Sequence, residues 1–112
     1  MYKIIFYKNA SNKEVISEFI DSFSNKIVIK IQSDIRLLKE YGLSLLTTSK
    51  VKKIYKNLFE LRIKTFVQIR LLFVSINPDI FLIVHGFVKK TNKTPTKEIN
   101  LAINRIKEFD IP

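Results

Sequence analysis

Residues 81–95 read FLIVHGFVKKTNKTP, one short segment that supplies a strand, a charged edge and the entry to the last helix. An unbroken apolar run, Phe81 to Val84, passes into His85, Gly86 and Phe87, and then into a hydrophilic segment carrying Lys89, Lys90 and Lys93. Apolar runs of this length that turn basic after a glycine mark a buried strand whose end presents side chains to solvent. Thr94 followed by Pro95 has the form of a helix start, with Thr94 as N-cap and Pro95 at the first helical position. The stretch therefore predicts a strand over 80–88, a charged loop, and a last helix over 95–109 with Ile99, Ala102, Ile103 and Ile106 on one face.

Working back from it, Asn77, Pro78 and Asp79 form a turn signal ahead of the strand. Residues 58–64 (LFELRIK) alternate with a period of two, Phe59, Leu61 and Ile63 facing one way and Glu60, Arg62 and Lys64 the other. Residues 67–74 continue in the same manner, Val67, Ile69, Leu71 and Phe73 against Gln68 and Arg70. Only a short turn around 64–66 separates them, which predicts an antiparallel hairpin. With the apolar faces turned toward helices, Arg62 and Arg70 fall on the opposite, solvent-facing side. Residues 43–53 (LSLLTTSKVKK) lack a clear period and read as a connecting loop.

Nearer the N-terminus, Ser11 and Glu14 have the spacing of a capping box for a helix over 12–23, with Val15, Ile16, Phe19, Ile20 and Phe23 inward. Asn25 is placed to cap a second helix with Val28, Ile31, Ile35 and Leu38 inward, and Gly42 to end it. Residues 2–7 (YKIIFY) read as a first strand. The order β, α, α, β, β, β, α describes a small α+β domain over 1–112, with a largely antiparallel sheet, an N-terminal helical hairpin and a C-terminal helix.

Composition narrows the chemistry. The 112 residues include no cysteine and one histidine, which excludes a disulfide framework, a thiolate nucleophile and multi-histidine metal clusters. No metal and no cofactor is expected. No apolar run reaches the roughly 20 residues of a membrane span, and no secretory signal opens the chain, so the expected location is cytoplasmic. The net charge of +10 is concentrated, since residues 50–97 hold 11 Lys+Arg against 2 Asp+Glu. A basic face of this kind is the footprint of a polyanion binder, nucleic acid first among them. Lys50, Lys52, Lys53 and Lys93 are expected RNA-binding residues, although for the first three, taken on their own, a solvated face is the plainer reading.

Arg62, Arg70, His85, Lys89 and Lys90 are the expected catalytic set. Cleavage of RNA by its own 2′-hydroxyl needs a base for the 2′ proton, cations for the charge on the pentacoordinate phosphorane, and an acid for the departing 5′ oxygen. Arginine and lysine supply the electrostatic part. A histidine, or a lysine with cationic neighbours, serves the proton transfers. Each residue also has a plainer reading: His85 as a structural histidine, Arg62 as an ion-pair partner of Glu60. Arg70 has few acids near it in sequence. Periodicity and charge alone reach a nucleic-acid binder, and leave a small basic DNA- or RNA-binding protein as an alternative.

NLFELRI (57–63), the Arg70 strand and LIVHGFVKKTNKTPTKEINLA (82–102) resemble the HigB/RelE-like toxins of type II toxin–antitoxin systems, in their phage-derived branch. The resemblance implies a RelE-like fold and a ribosome-dependent endoribonuclease, an mRNA interferase cutting mRNA in the ribosomal A site without metal. It also implies a cognate antitoxin, commonly a helix-turn-helix protein. Carried over by position, Arg62 falls on the ELR arginine, Arg70 on the arginine of a YR strand, and His85, Lys89 and Lys90 on the HGF-KK element. On this resemblance Arg70 and Lys89 meet the phosphate and transition-state charge, Arg62 positions substrate, and His85 serves as acid or base. Ile69 stands where relatives carry tyrosine, and Asn57 where glycine is common. A catalytically degenerate member that still binds RNA or ribosomes is the second alternative.

Overall fold

The computed structural model describes residues 1–108. Its elements are β1 (Lys3–Phe6), α1 (Val15–Asp21), α2 (Asn25–Tyr41), a 3₁₀ turn at Gly42–Thr47, β2 (Val51–Tyr55), β3 (Leu58–Lys64), β4 (Gln68–Asn77), β5 (Ile80–Lys89) and α3 (Thr96–Glu108). The five strands form one sheet in the order β1-β5-β4-β3-β2. β1 runs parallel to β5, and every other neighbouring pair is antiparallel. The α+β class, the largely antiparallel sheet, the N-terminal helices and the C-terminal helix are as the sequence predicts.

Four local expectations are corrected. Residues 43–53 are not a loop: after the 3₁₀ turn, Val51 begins an edge strand paired with β3. Such an edge strand escapes a search for alternation, because its neighbour supplies the hydrogen bonds and only Val51 of its residues is buried. The Ser11–Glu14 capping box does not form. Asn9 Oδ1 instead accepts from the backbone N–H groups of Ser11 and Lys13, both at 2.9 Å, Asn12 takes a φ of 61°, and α1 starts at Val15. Ser24, not Asn25, is the N-cap position of α2. Thr94 does not cap α3, because its hydroxyl is engaged elsewhere; the Pro95 carbonyl accepts from the N–H groups of Glu98 and Ile99 and the helix begins at Thr96. The expected last residue of this helix, Phe109, lies outside the described residues.

α1 and α2 cover one face of the sheet. Ile16, Ile20, Ile31 and Leu38 pack there against Leu61, Ile63, Ile69 and Leu71, all buried. Phe59, Phe73 and Phe81 form a chain of ring contacts on adjacent strands, with centroids 5.6 and 5.3 Å apart. Gly86 is required by this packing, since a Cβ there would stand 2.5 Å from the Phe19 ring of α1. Gly42 ends α2 with a φ of 58°, the left-handed region that favours glycine.

α3 lies against the other face, where Ala102 is fully buried. The expectation of an open, solvent-facing side for Arg62 and Arg70 therefore needs correction. α3 covers the part of this face nearest β5, Arg70 is only 7% exposed, and Glu60 is wholly buried.

Candidate functional site

The α3 face of the sheet is built of successive cross-strand rungs. Lys52, Glu60, Leu72 and His85 are successive partners across β2 to β5; Arg62, Arg70 and Phe87 make the next such rung, and Lys64, Gln68 and Lys89 the one after, beside the β3–β4 turn. Side chains two residues apart on a strand share a face, so these rungs stack on one side of the sheet.

A β-bulge brings β5 into line. Leu72 pairs with His85 but Phe73 pairs with Ile83, so Val84 is the extra residue. Ahead of the bulge, Phe81 and Ile83 belong to the α1–α2 face; beyond it, His85, Phe87 and Lys89 belong to the arginine face. Without it these three would alternate onto the opposite side. The Val84 carbonyl accepts a 2.8 Å hydrogen bond from Arg105 Nη1 of α3, which holds the irregularity in place.

Glu60 organises the arginines. Arg62 Nε donates to its Oε1 at 3.1 Å, the Thr94 hydroxyl donates to Oε2 at 2.5 Å, and Arg70 Nε approaches Oε1 at 3.4 Å. That last contact is a charge contact and not an aligned hydrogen bond, and Arg70 Nε has no hydrogen-bond partner among the described residues. Arg70 Nη1 reaches the Ile69 carbonyl at 3.3 Å. Burial works against the Arg70 cation, Glu60 favours it and Arg62 again opposes it. Lys89 also has its pKa held below the ordinary lysine value, first by desolvation and then by Arg70, with Arg62 and Lys52 adding to the effect and Glu60 opposing it. A single buried carboxylate thus sits among Lys52, Arg62, Arg70 and Lys89. The local charge is net positive and incompletely neutralised, a field suited to an anion.

His85 is occupied differently. Its Nε2 lies 2.8 Å from Glu98 Oε1, and Arg105 Nη1 lies 3.4 Å from Nδ1. A guanidinium only donates, so Nδ1 is the acceptor and Nε2–H the donor to Glu98, which is the neutral tautomer. The direction of its pKa agrees. Burial pushes it down, Glu98 pulls it up and Arg105 lowers it further. The ring stacks on Phe87 at 5.6 Å and its side chain is 12% exposed.

The structure therefore brings together Arg62, Arg70, Lys89 and Lys52 of the expected residues. His85 shares their face but is held beneath α3, two rungs from Lys89. Lys90 and Lys93 are exposed in the segment between β5 and α3. Lys53 pairs with Phe59 and so belongs to the opposite face. Lys50 also turns away: with Lys30 it holds the buried Asp34 of α2, at 3.1 and 3.0 Å. Sequence reasoning missed Glu60 as the organising carboxylate, Thr94 as its hydroxyl donor, and the Glu98–Arg105 pair around His85. The alternation of Glu60 with Arg62 was the available signal for the first. Nothing short of the fold relates α3 to His85.

Among the described residues no group of three or more His, Cys, Asp or Glu side chains is arranged to hold a metal ion, and no helix is long and apolar enough to cross a membrane. No curated protein matches the chain. Residues 18–107 match the family described as phage-derived protein Gp49-like (DUF891), a span that takes in both helix-bearing faces and every cation of the cluster. The chain accordingly belongs to the phage-derived Gp49-like family, which is associated in general with toxin–antitoxin systems.

Proposed function

We propose that the protein is the toxin of a type II toxin–antitoxin pair, of the HigB/RelE kind, and that it cleaves mRNA on the ribosome by attack of the 2′-hydroxyl on the adjacent phosphate. The observation that carries this reading is the convergence of Arg62, Arg70 and Lys89 around buried Glu60, with donors left over. As the 2′ oxygen attacks, charge accumulates on the equatorial phosphorane oxygens. Cations already fixed where that charge develops stabilise it without reorganising. Arg70, buried and with Nε lacking an aligned acceptor, suits the phosphate; Arg62, held by Glu60, suits positioning. Lys89, with its pKa drawn down by desolvation and by Arg70, suits a proton transfer. The ribosomal A site and a helix-turn-helix antitoxin are the partners of this reading.

A second reading, a member that binds RNA or ribosomes without cutting, is favoured by one observation. His85, the one imidazole of the chain, is held between Glu98 and Arg105.

Primer extension on a defined mRNA in a cell-free translation reaction, with and without ribosomes, tests both. The expected result is new 5′ ends that need ribosomes and vanish with Arg70→Ala. Folded wild-type protein that binds ribosomes yet yields no ends would overturn cleavage in favour of the binder.

A further inference from the structure

Eight of the nine phenylalanines lie among the described residues, and seven of those eight are buried or partly buried. Phe66 is 94% exposed. It sits at the tip of the β3–β4 hairpin, immediately beyond the rung that carries Lys64, Gln68 and Lys89.

The tip is held firmly. Thr65 Oγ1 donates to the Val67 carbonyl at 2.9 Å and accepts from the Val67 N–H at 3.1 Å, while the Thr65 N–H donates to the same carbonyl at 3.1 Å. Three hydrogen bonds across one residue fix the backbone that presents the ring. An exposed aromatic that folding leaves in water, on a turn this constrained, is pre-organised for a ligand with a flat face.

Its surroundings specify the chemistry. Phe66 and Ile27 border an open groove of about 540 Å³ between the hairpin tip and the start of α2, with Lys26, Lys30 and Lys64 at its rim. Lys26 and Lys64 have no ion-pair partner among the described residues. Lys64 belongs to both places, since its register puts it on the face of Arg62 and its position puts it on the groove. On the α3 face, Lys64 and Lys89 continue the line of Arg62 and Arg70 to the turn that carries the ring, and the groove beside Phe66 lies on the α2 side of that turn, so a single strand with its phosphates on the cations meets the ring by passing over the hairpin tip. The rungs of Arg62 and Lys64 lie two residues, about 7 Å, apart along the strand. That spacing matches one extended nucleotide.

We infer that Phe66 is a stacking platform for a nucleobase of single-stranded RNA flanking the phosphate bound at Arg62 and Arg70. The inference rests on the RNA-cleaving reading for the identity of the ligand, and concerns binding, not the chemical step.

The test is RNA binding by the full chain, using a single-stranded oligoribonucleotide in which 2-aminopurine, a base whose emission falls on stacking, is moved position by position. Wild type, Phe66→Tyr, Phe66→Leu and Arg70→Ala are compared. Wild type is expected to quench at one position, Phe66→Tyr to retain the quench, and Phe66→Leu to lose it with affinity weakened roughly 5- to 100-fold. Thermal unfolding of Phe66→Leu should match wild type, since the ring contacts solvent. Leucine keeps an apolar tip without a π face. A Phe66→Leu protein that binds as wild type would therefore overturn stacking. Wild type that quenches at no position would overturn it as well. In either case loss of binding in Arg70→Ala leaves the cationic site standing, whereas a Phe66-dependent quench from a protein that cuts nothing on ribosomes would retain the platform and remove the cleavage reading.

Discussion

Asp34 and Glu60 are both buried carboxylates flanked by two cations, one on each face of the sheet, and they do different work. Asp34 is satisfied: Lys30 and Lys50 each give it one contact near 3 Å, from the same helix and from the segment leading into β2. Nothing is left over, and the result is a clamp between α2 and the sheet edge. Glu60 is outnumbered. Arg62 and Thr94 take its good hydrogen-bonding directions, Arg70 makes only a charge contact, and Lys52 and Lys89 add positive charge that no buried carboxylate balances. A buried ion pair is weak evidence for stability, because desolvation offsets attraction. The imbalance at Glu60, and not the pairing itself, is what the proposed function uses: there the surplus cations meet a phosphate, whereas Asp34 has no such surplus.

Arg70→Ala should have the largest effect. Ribosome-dependent cleavage is expected to fall by roughly 100-fold or more, the scale of removing one preorganised donor to a developing anion, and growth arrest on expression should disappear. Undiminished arrest in that variant would leave Glu60 with no more function than Asp34.

Neutralising each carboxylate comes next. Glu60→Gln strands Arg70 in a buried position and should cost about 3–5 kcal/mol in unfolding free energy, and cleavage per folded molecule should drop with it. Asp34→Asn should also destabilise, by about 3 kcal/mol at most because its lysines stay partly solvated, yet leave cleavage per folded molecule unchanged. Denaturant unfolding combined with the primer-extension assay separates the two effects. Equal activity losses in both variants would mean that Glu60 and Asp34 serve the same structural role.

A smaller effect concerns pH. His85 has a pKa lowered by burial in the folded protein, so the folded state binds fewer protons than the unfolded chain. Its contribution to stability is present above the ordinary histidine value, and is lost as pH falls from there through the lowered folded value. The melting temperature should decline on acidification across that window, and decline less in His85→Gln. Parallel curves for the two proteins would show that the imidazole does not titrate in this way.

The smallest effect separates two lysines that stand two residues apart in sequence. Lys52→Ala should lower the slope of log affinity for RNA against log salt by about 1, whereas Lys50→Ala, whose side chain serves Asp34, should leave that slope unchanged. Matching slopes would mean that the two faces of the sheet are not electrostatically distinct.

Local pattern determined a good deal. The period-two alternation of residues 58–64 and 67–74 identified the hairpin and put Arg62 and Arg70 on one face; the apolar run from Phe81 identified β5; and Gly42 ended α2, because φ, ψ and side-chain periodicity are properties of neighbouring residues. The concentration of lysine and arginine in residues 50–97 was likewise visible at once. Contacts between distant segments were decided by tertiary structure alone. Thr94 has the sequence form of an N-cap, but Glu60, 34 residues away, takes its hydroxyl. β2 exists because β3 offers it an edge. His85, legible as an acid or base beside lysines, is claimed by Glu98 and Arg105 because a bulge at Val84 turns it toward α3. Register and desolvation depend on which surfaces meet, and a one-residue bulge is enough to exchange the two faces of a strand.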